Sequence, residues 1–90
     1  MKLVNIGFGN LVNAERVICI VSPDSAPVKR IVQNAKEEGR LIDLTQGRKT
    51  ASVLFTDSRH VLLSHLRPDR LRPRFDPQAV SLPEEPDEED

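Results

Sequence analysis

The stretch LIDLTQGRKTASVLF, residues 41–55, decides how the rest of the chain is read. Two apolar, β-prone runs flank a polar break, Gln46-Gly47-Arg48-Lys49. Glycine between two such runs marks a hairpin, because it adopts a positive φ without steric cost. A hairpin here puts Arg48 and Lys49 side by side at an exposed tip on a short, stiff support. Polar tips are also ordinary turn chemistry, so the weight of the pair depends on its surroundings.

Outward from this hairpin the chain reads as a small antiparallel meander with one helix. Arg40–Thr45 and Lys49–Thr56 are its two arms, and the turn Asp57-Ser58-Arg59 leads into a last strand, His60–Leu66. The helix is expected over Ala26–Glu38, with Ser25 or Asp24 as N-cap, Pro27 in its first turn and Gly39 as its stop. Val28, Ile31, Val32 and Ala35 recur at helical spacing and form the stripe that packs on the sheet. Lys2–Phe8 opens the chain as a strand, and Gly7-Phe8-Gly9-Asn10 supplies a bend. That GxG lacks a third glycine and a following helix, so it does not read as a dinucleotide site. The expected fold is α+β, one helix on a small antiparallel sheet.

Val17–Val21, VICIV, is apolar on both faces of a strand. One helix covers one face only. With too little sequence left for a second sheet, the other face is expected to meet another copy of the chain, as small domains without disulfides or metals often do. From Pro68 onward, Pro68, Pro73, Pro77, Pro83 and Pro86 alternate with dense charge. The expected organisation is therefore a domain over residues 1–67 and a proline-rich acidic tail over residues 68–90, unstructured on composition.

The net charge of −1 conceals an asymmetry. Residues 1–74 hold all thirteen bases against seven acids, whereas residues 75–90 hold seven acids and no base. A basic body of this kind suits a polyanion, and the tail reads either as a solvating segment or as a competitor for the same surface. Cys19 is the only cysteine, which excludes a disulfide framework and a CxxC metal site and suits a reducing compartment. The start, MKLVNIGFGN, has no signal-peptide core, and no apolar run approaches a membrane span. A cytoplasmic protein is expected, with no membrane partner.

Enzymatic chemistry finds no constellation. His60, His65 and Cys19 lack metal-ligand spacing, and no serine sits in a nucleophile elbow. No cofactor and no small-molecule substrate are expected. Nucleic-acid binding is better served, although a helix-turn-helix needs a second helix and the three phenylalanines are few for base stacking. What remains is charge: Arg16, Arg48 and Lys49, with Lys29 and Arg30 at the start of the helix. Such residues contact phosphates and position a protein on a duplex. Few contacts per subunit bind weakly, and many copies bind well.

LVNIGFGNLVNAERV, IVSPDSAPVKR, GRLIDLTQGRKT and HVLLS occur in this order and resemble the RemA family of bacterial extracellular-matrix regulators over residues 2–66. The resemblance implies a DNA-binding protein without a helix-turn-helix, assembled into a closed, octamer-like homo-oligomeric ring that activates biofilm-matrix genes. It places the family's DNA contacts on Arg16, Arg48 and Lys49, and its helix-start proline on Pro27. Lys49 stands where the family commonly has a second arginine, keeping the charge but losing the bidentate fork. The acidic tail lies outside the shared pattern. The resulting expectation is a nucleoid-associated transcription regulator whose ring grips duplex DNA through repeated Arg48/Lys49 tips. The rival readings are a protein-interaction ring and a binder of RNA shape.

Overall fold

The computed structural model describes residues 1–76. In chain order these form β1 (Leu3–Asn5), β2 (Leu11–Asn13), a 3-10 turn (Ala14–Arg16), β3 (Val17–Val21) and α1 (Ala26–Glu37). Strands β4 (Leu41–Asp43), β5 (Ser52–Thr56) and β6 (Val61–Ser64) follow, and α2 (Pro68–Phe75) closes the described chain. The fold is α+β, as expected, but the described residues form two sheets and two α-helices.

The main sheet has the order β3-β5-β6-β4. Residues 41–55 do not form the expected hairpin. β4 pairs with β6 in parallel, Leu41 opposite Val61 and Asp43 opposite Leu63, while β5 takes the other side of β6 antiparallel. The reason lies in β6. All four of its residues are buried, and a strand so placed needs backbone partners on both edges. A β4–β5 hairpin would leave one edge bare. Loop 44–51 instead straddles the end of β6, with Leu44 N–H donating to Leu63 O at 3.0 Å and Ala51 N–H to Ser64 O at 2.9 Å. The expected turn does form: Gln46 and Gly47 both have positive φ, 51° and 84°, and Arg48 N–H closes on Thr45 O. It serves a crossover in place of a hairpin.

α1 ends and begins as its sequence dictates. Ser25 Oγ accepts from Val28 N–H, and Gly39 at φ +73° lets Arg40 N–H reach Ala35 O and Gly39 N–H reach Lys36 O, closing the helix in a Schellman motif. Its inner stripe packs as expected with one exception. Ala35, with Val28 and Val32, meets Val53, Val61 and Leu63 on one face of the sheet, whereas Ile31 stays 42% exposed.

The opposite face is not left for a neighbouring copy. The two-stranded sheet β1–β2 and helix α2 cover it, bringing Val4, Ile6 and Leu71 onto Leu54, Leu62 and Leu66. The expectation that too little sequence remained for a second sheet is corrected. Three-residue strands suffice, and the segment read as unstructured from Pro68 supplies a helix through Phe75. Pro68 sits in the first turn, where its missing N–H costs no hydrogen bond, and Leu71 and Phe75 recur four apart toward the core. The expectations for positions 77–90 lie outside the described residues. Among the described residues, no helix is long and apolar enough to cross a membrane.

Two buried serines join the layers. Ser52 and Ser64 face each other across β5 and β6, both fully buried. Ser64 Oγ donates to Ile6 O at 2.7 Å and accepts from Leu66 N–H at 3.0 Å, and Ser52 Oγ donates to Leu66 O. Ser64→Ala strands Ile6 O and Leu66 N–H in the core. Leaving buried partners unsatisfied costs about 1–3 kcal/mol, so the urea midpoint should fall with the denaturant slope unchanged. An unaltered midpoint would show that these bonds carry no stability.

Candidate nucleic-acid interface

Strands β3, β4 and β6 run parallel to one another, and the chain leaves all three at the same end of the sheet. Loop 44–51, the Ser22–Ser25 entry to α1, the β1–β2 turn and the Leu66–Pro68 entry to α2 therefore gather there. An open cleft of about 640 Å³ lies between them, lined by Ser22, Asp24, Lys49, His65, Arg67 and Asp69 among others. Arg48 and Lys49 are exposed on this loop, as the sequence predicts. Lys29 and Arg30 are exposed on α1, at the close of its first turn from the same end. Arg67 joins the basic set and was not foreseen. Its signal, arginine just before a helical Leu71–Phe75 repeat, was hidden by the surrounding prolines.

Arg16 is placed elsewhere. It precedes β3 and sits at the opposite end of the sheet, where its Nε–H is shared between the two carboxylate oxygens of Asp57 at 2.7 and 2.9 Å. Both groups are about half exposed, so the pair contributes at most about 1 kcal/mol to stability. A five-residue strand spans about 17 Å. One subunit consequently does not present Arg16 and Arg48 together.

The loop carrying Arg48 and Lys49 is anchored at both shoulders. On one side, Asp43 Oδ1 accepts from Thr45 N–H at 2.9 Å and from Thr45 Oγ1–H at 2.6 Å, and Thr45 itself is buried. These bonds, the hydroxyl's first, hold the Asp43 carboxyl below its ordinary value of 3.8. On the other side stands Phe8. The turn Gly7-Phe8-Gly9 runs entirely at positive φ (116°, 55° and 75°), fixed by Gly7 N–H to Asn5 Oδ1 and by Asn10 N–H and Nδ2 to Gly7 O. It lays Phe8 against the His65 ring at 4.3 Å between centroids, and the Arg48 guanidinium lies over Phe8 at 5.9 Å. The latter is a cation–π contact at the outer limit of its range. The glycines read only as a bend in the sequence thus aim an aromatic ring at the basic loop. Among the described residues, no group of histidine, cysteine and carboxylates is arranged to hold a metal ion.

The family model for RemA-like proteins, "Extracellular matrix regulatory protein A-like", matches residues 3–75 and so includes α2. A protein of Synechococcus sp. named "Putative regulatory protein" is 55% identical over 86 residues, 96% of this chain and 97% of its own. Proteins of the same name from Caldicellulosiruptor saccharolyticus and Acetivibrio thermocellus are 57% and 50% identical over 90 residues, covering 84% and 97% of their own lengths.

Two measurements test the anchors. A Cβ on Gly7 would lie 2.5 Å from His65 Cε1, so Gly7→Ala must displace the ring on which Phe8 rests, at a backbone angle alanine disfavours. A loss of more than about 1 kcal/mol is expected by chemical denaturation; equal stability would mean that His65 yields freely. Acid should release the Asp43 shoulder. Because the folded value is depressed, its contribution is complete above 3.8 and is lost as pH falls through the lower folded value. Asp43→Asn should flatten that part of the stability–pH curve, and a curve of unchanged shape below about pH 4 would remove the carboxylate from the anchor.

Proposed function

The chain belongs to the RemA-like family, and the relatives compared above are named as regulatory proteins; from that premise we propose that it is a transcription regulator that binds duplex DNA as a ring of identical subunits and activates extracellular-matrix genes. The observation that carries this reading is the exposed pair Arg48 and Lys49 on a loop braced by Thr45 and Phe8, at the end of the sheet where Lys29 and Arg30 of α1 and Arg67 before α2 also lie. Exposed cations on a braced support suit phosphate contacts, which position a protein on a duplex. Phosphate contacts carry no sequence information, so bending or shape of the duplex is the assigned source of selectivity.

Assembly is supported by the edges of the main sheet. β3 and β4 are its two edge strands. A bulge between Val17 and Cys19 turns Ile18 outward, 68% exposed, and Ile42 on β4 is 42% exposed. A groove of about 470 Å³ runs beside β3, lined by Ile18, Cys19, Ile20, Pro68 and Phe75 among others. Two unlike edges on one subunit permit a head-to-tail contact, which closes into a ring when the rotation allows.

Arg48→Ala and Lys49→Ala are expected to weaken duplex binding about tenfold or more each, since charge-assisted contacts contribute about 1.5–3 kcal/mol and are repeated in every copy. Light scattering should show the same assembly in both variants. Duplex binding as tight as that of the unsubstituted protein would refute the interface, and a monomer at micromolar concentration would refute the ring.

A further inference from the structure

The acids of the described residues are mostly held by neighbours of their own. Ion pairs join Glu15 to the N-terminus, Asp57 to Arg16, Glu38 to Arg40 and Asp69 to Arg67. Asp24 accepts from Ser22 Oγ, Glu37 from Gln33 Nε2 and Asp43 from Thr45. Lys49 on the basic loop, like Lys29 and Arg30 on α1, is exposed and enters none of these pairs. Glu84–Asp90, EEPDEED, adds six acids and no base to the chain.

The course of the chain brings this acidic run within range of the loop. α2 starts at the cleft that Lys49 lines, with Pro68 and Asp69 in the cleft wall, and runs away from it. Its eight residues advance about 12 Å. The described chain ends at Asp76, which with Phe75 lines the groove beside β3, and Pro68 is common to groove and cleft. One short helix therefore separates the end of the described chain from the cleft. Extended chain from Asp76 to Glu84 covers up to about 27 Å, about twice the length of that helix. The acids from Glu84 onward can reach back to the loop of their own chain.

We propose that the acidic segment Glu84–Asp90 binds the basic loop of its own chain at Lys49 and Arg48, and there competes with the backbone of the duplex. This rests on the duplex-binding reading above. Carboxylates and phosphates are taken by the same chemistry, a cation that also donates hydrogen bonds. A segment on a short tether meets the loop at an effective concentration on the order of 1 mM. If it binds with a Kd of about 0.2 mM, it weakens a competing duplex about sixfold. Strong and weak duplex sites lose the same factor, so the segment sets how much DNA is occupied and leaves selectivity to the duplex itself.

The test compares the full chain with its amide variant E84Q/E85Q/D87N/E88Q/E89Q/D90N on a duplex of fixed length across a salt series. The variant should bind about fivefold more tightly at about 0.05 M salt. The gap should close toward about 0.5 M, where the Debye length falls to about 4 Å. In a Lys49→Ala background the same six substitutions should gain about twofold or less. Zero-length carbodiimide coupling should join Lys49 to residues 84–90 within one chain, and saturating duplex should prevent it. Equal affinities across the salt series overturn the proposal. A gain undiminished by Lys49→Ala also overturns it, since affinity would then follow net charge. So does the lack of a Lys49 product, a product formed only between chains, or one that saturating duplex leaves in place. If neither protein binds duplex, the functional reading fails and the competition with it. If both bind duplex and the six acids make no difference, the competition alone fails.

Discussion

Two serine hydroxyls buried at the end of the β5–β6 ladder hold the working end of this molecule together. Ser64 ties β6 to Ile6 and Leu66, and Ser52 ties β5 to Leu66. A buried hydroxyl is tolerable only when its hydrogen bonds are made, and here the partners are carbonyl and amide groups of segments that are not strands of the main sheet. Ile6 begins the turn that presents Phe8, Leu66 leads into α2, and Ser64 O receives the end of the basic loop through Ala51 N–H. Segments about sixty residues apart in sequence thus meet at one corner. The apolar core alone would not fix this corner, because leucine and valine contacts accept many registers whereas a hydroxyl between two backbone groups accepts few.

The edges of the sheet follow a different logic. Edge strands in monomeric proteins are usually blunted by charge, by proline or by a bulge that turns the edge away. β3 has the bulge, but the residue it turns outward is Ile18, an exposed hydrophobe in place of a charge. A bulge that displays an isoleucine interrupts strand addition while leaving an apolar knob. That arrangement favours side-chain packing of another surface over continued sheet pairing. Ile42 and Ile31 add exposed apolar area on β4 and α1. The doubly apolar character of VICIV is thereby explained without a wholly buried interface: Val17 and Ile20 serve the core on one face, Val21 serves the other, and the bulge removes Ile18 from both.

What was legible in the sequence was local. The helix over Ala26–Glu37 followed from its caps and its apolar period, and the Thr45–Arg48 turn followed from Gly47, because each depends on residues within one or two turns of chain. Strand pairing was misread where it depends on competition. Gly47 signals a turn whether or not its flanks pair, and only the full burial of Val61–Ser64 decides that β6 lies between them. β2 is three residues long and too short to show an alternation, and α2 was masked by three prolines in ten residues although two of them lie within the helix itself. For the site, the basic pair was visible in sequence, but its supports were not. Phe8 and His65 are fifty-seven positions apart, and nothing in a glycine bend names the ring on which it rests. The separation of Arg16 from Arg48 was equally invisible, since it depends on which ends of β3 and β5 the two residues occupy.

The supports bear on how a small surface could hold a polyanion at all. Arginine loses about 2 kcal/mol of rotamer freedom when it is fixed, comparable with what one charge-assisted contact returns. Arg48 carries part of that loss before any ligand arrives, because the Phe8 ring restricts its guanidinium and the Asp43–Thr45 bonds restrict the loop beneath it. Lys49 follows on the same loop as a compact, hydrated charge that needs no set orientation. An oriented cation beside an unoriented one divides the work between placing a phosphate and attracting it. On that division Lys49 needs only its charge, because orientation is already supplied at its neighbour Arg48.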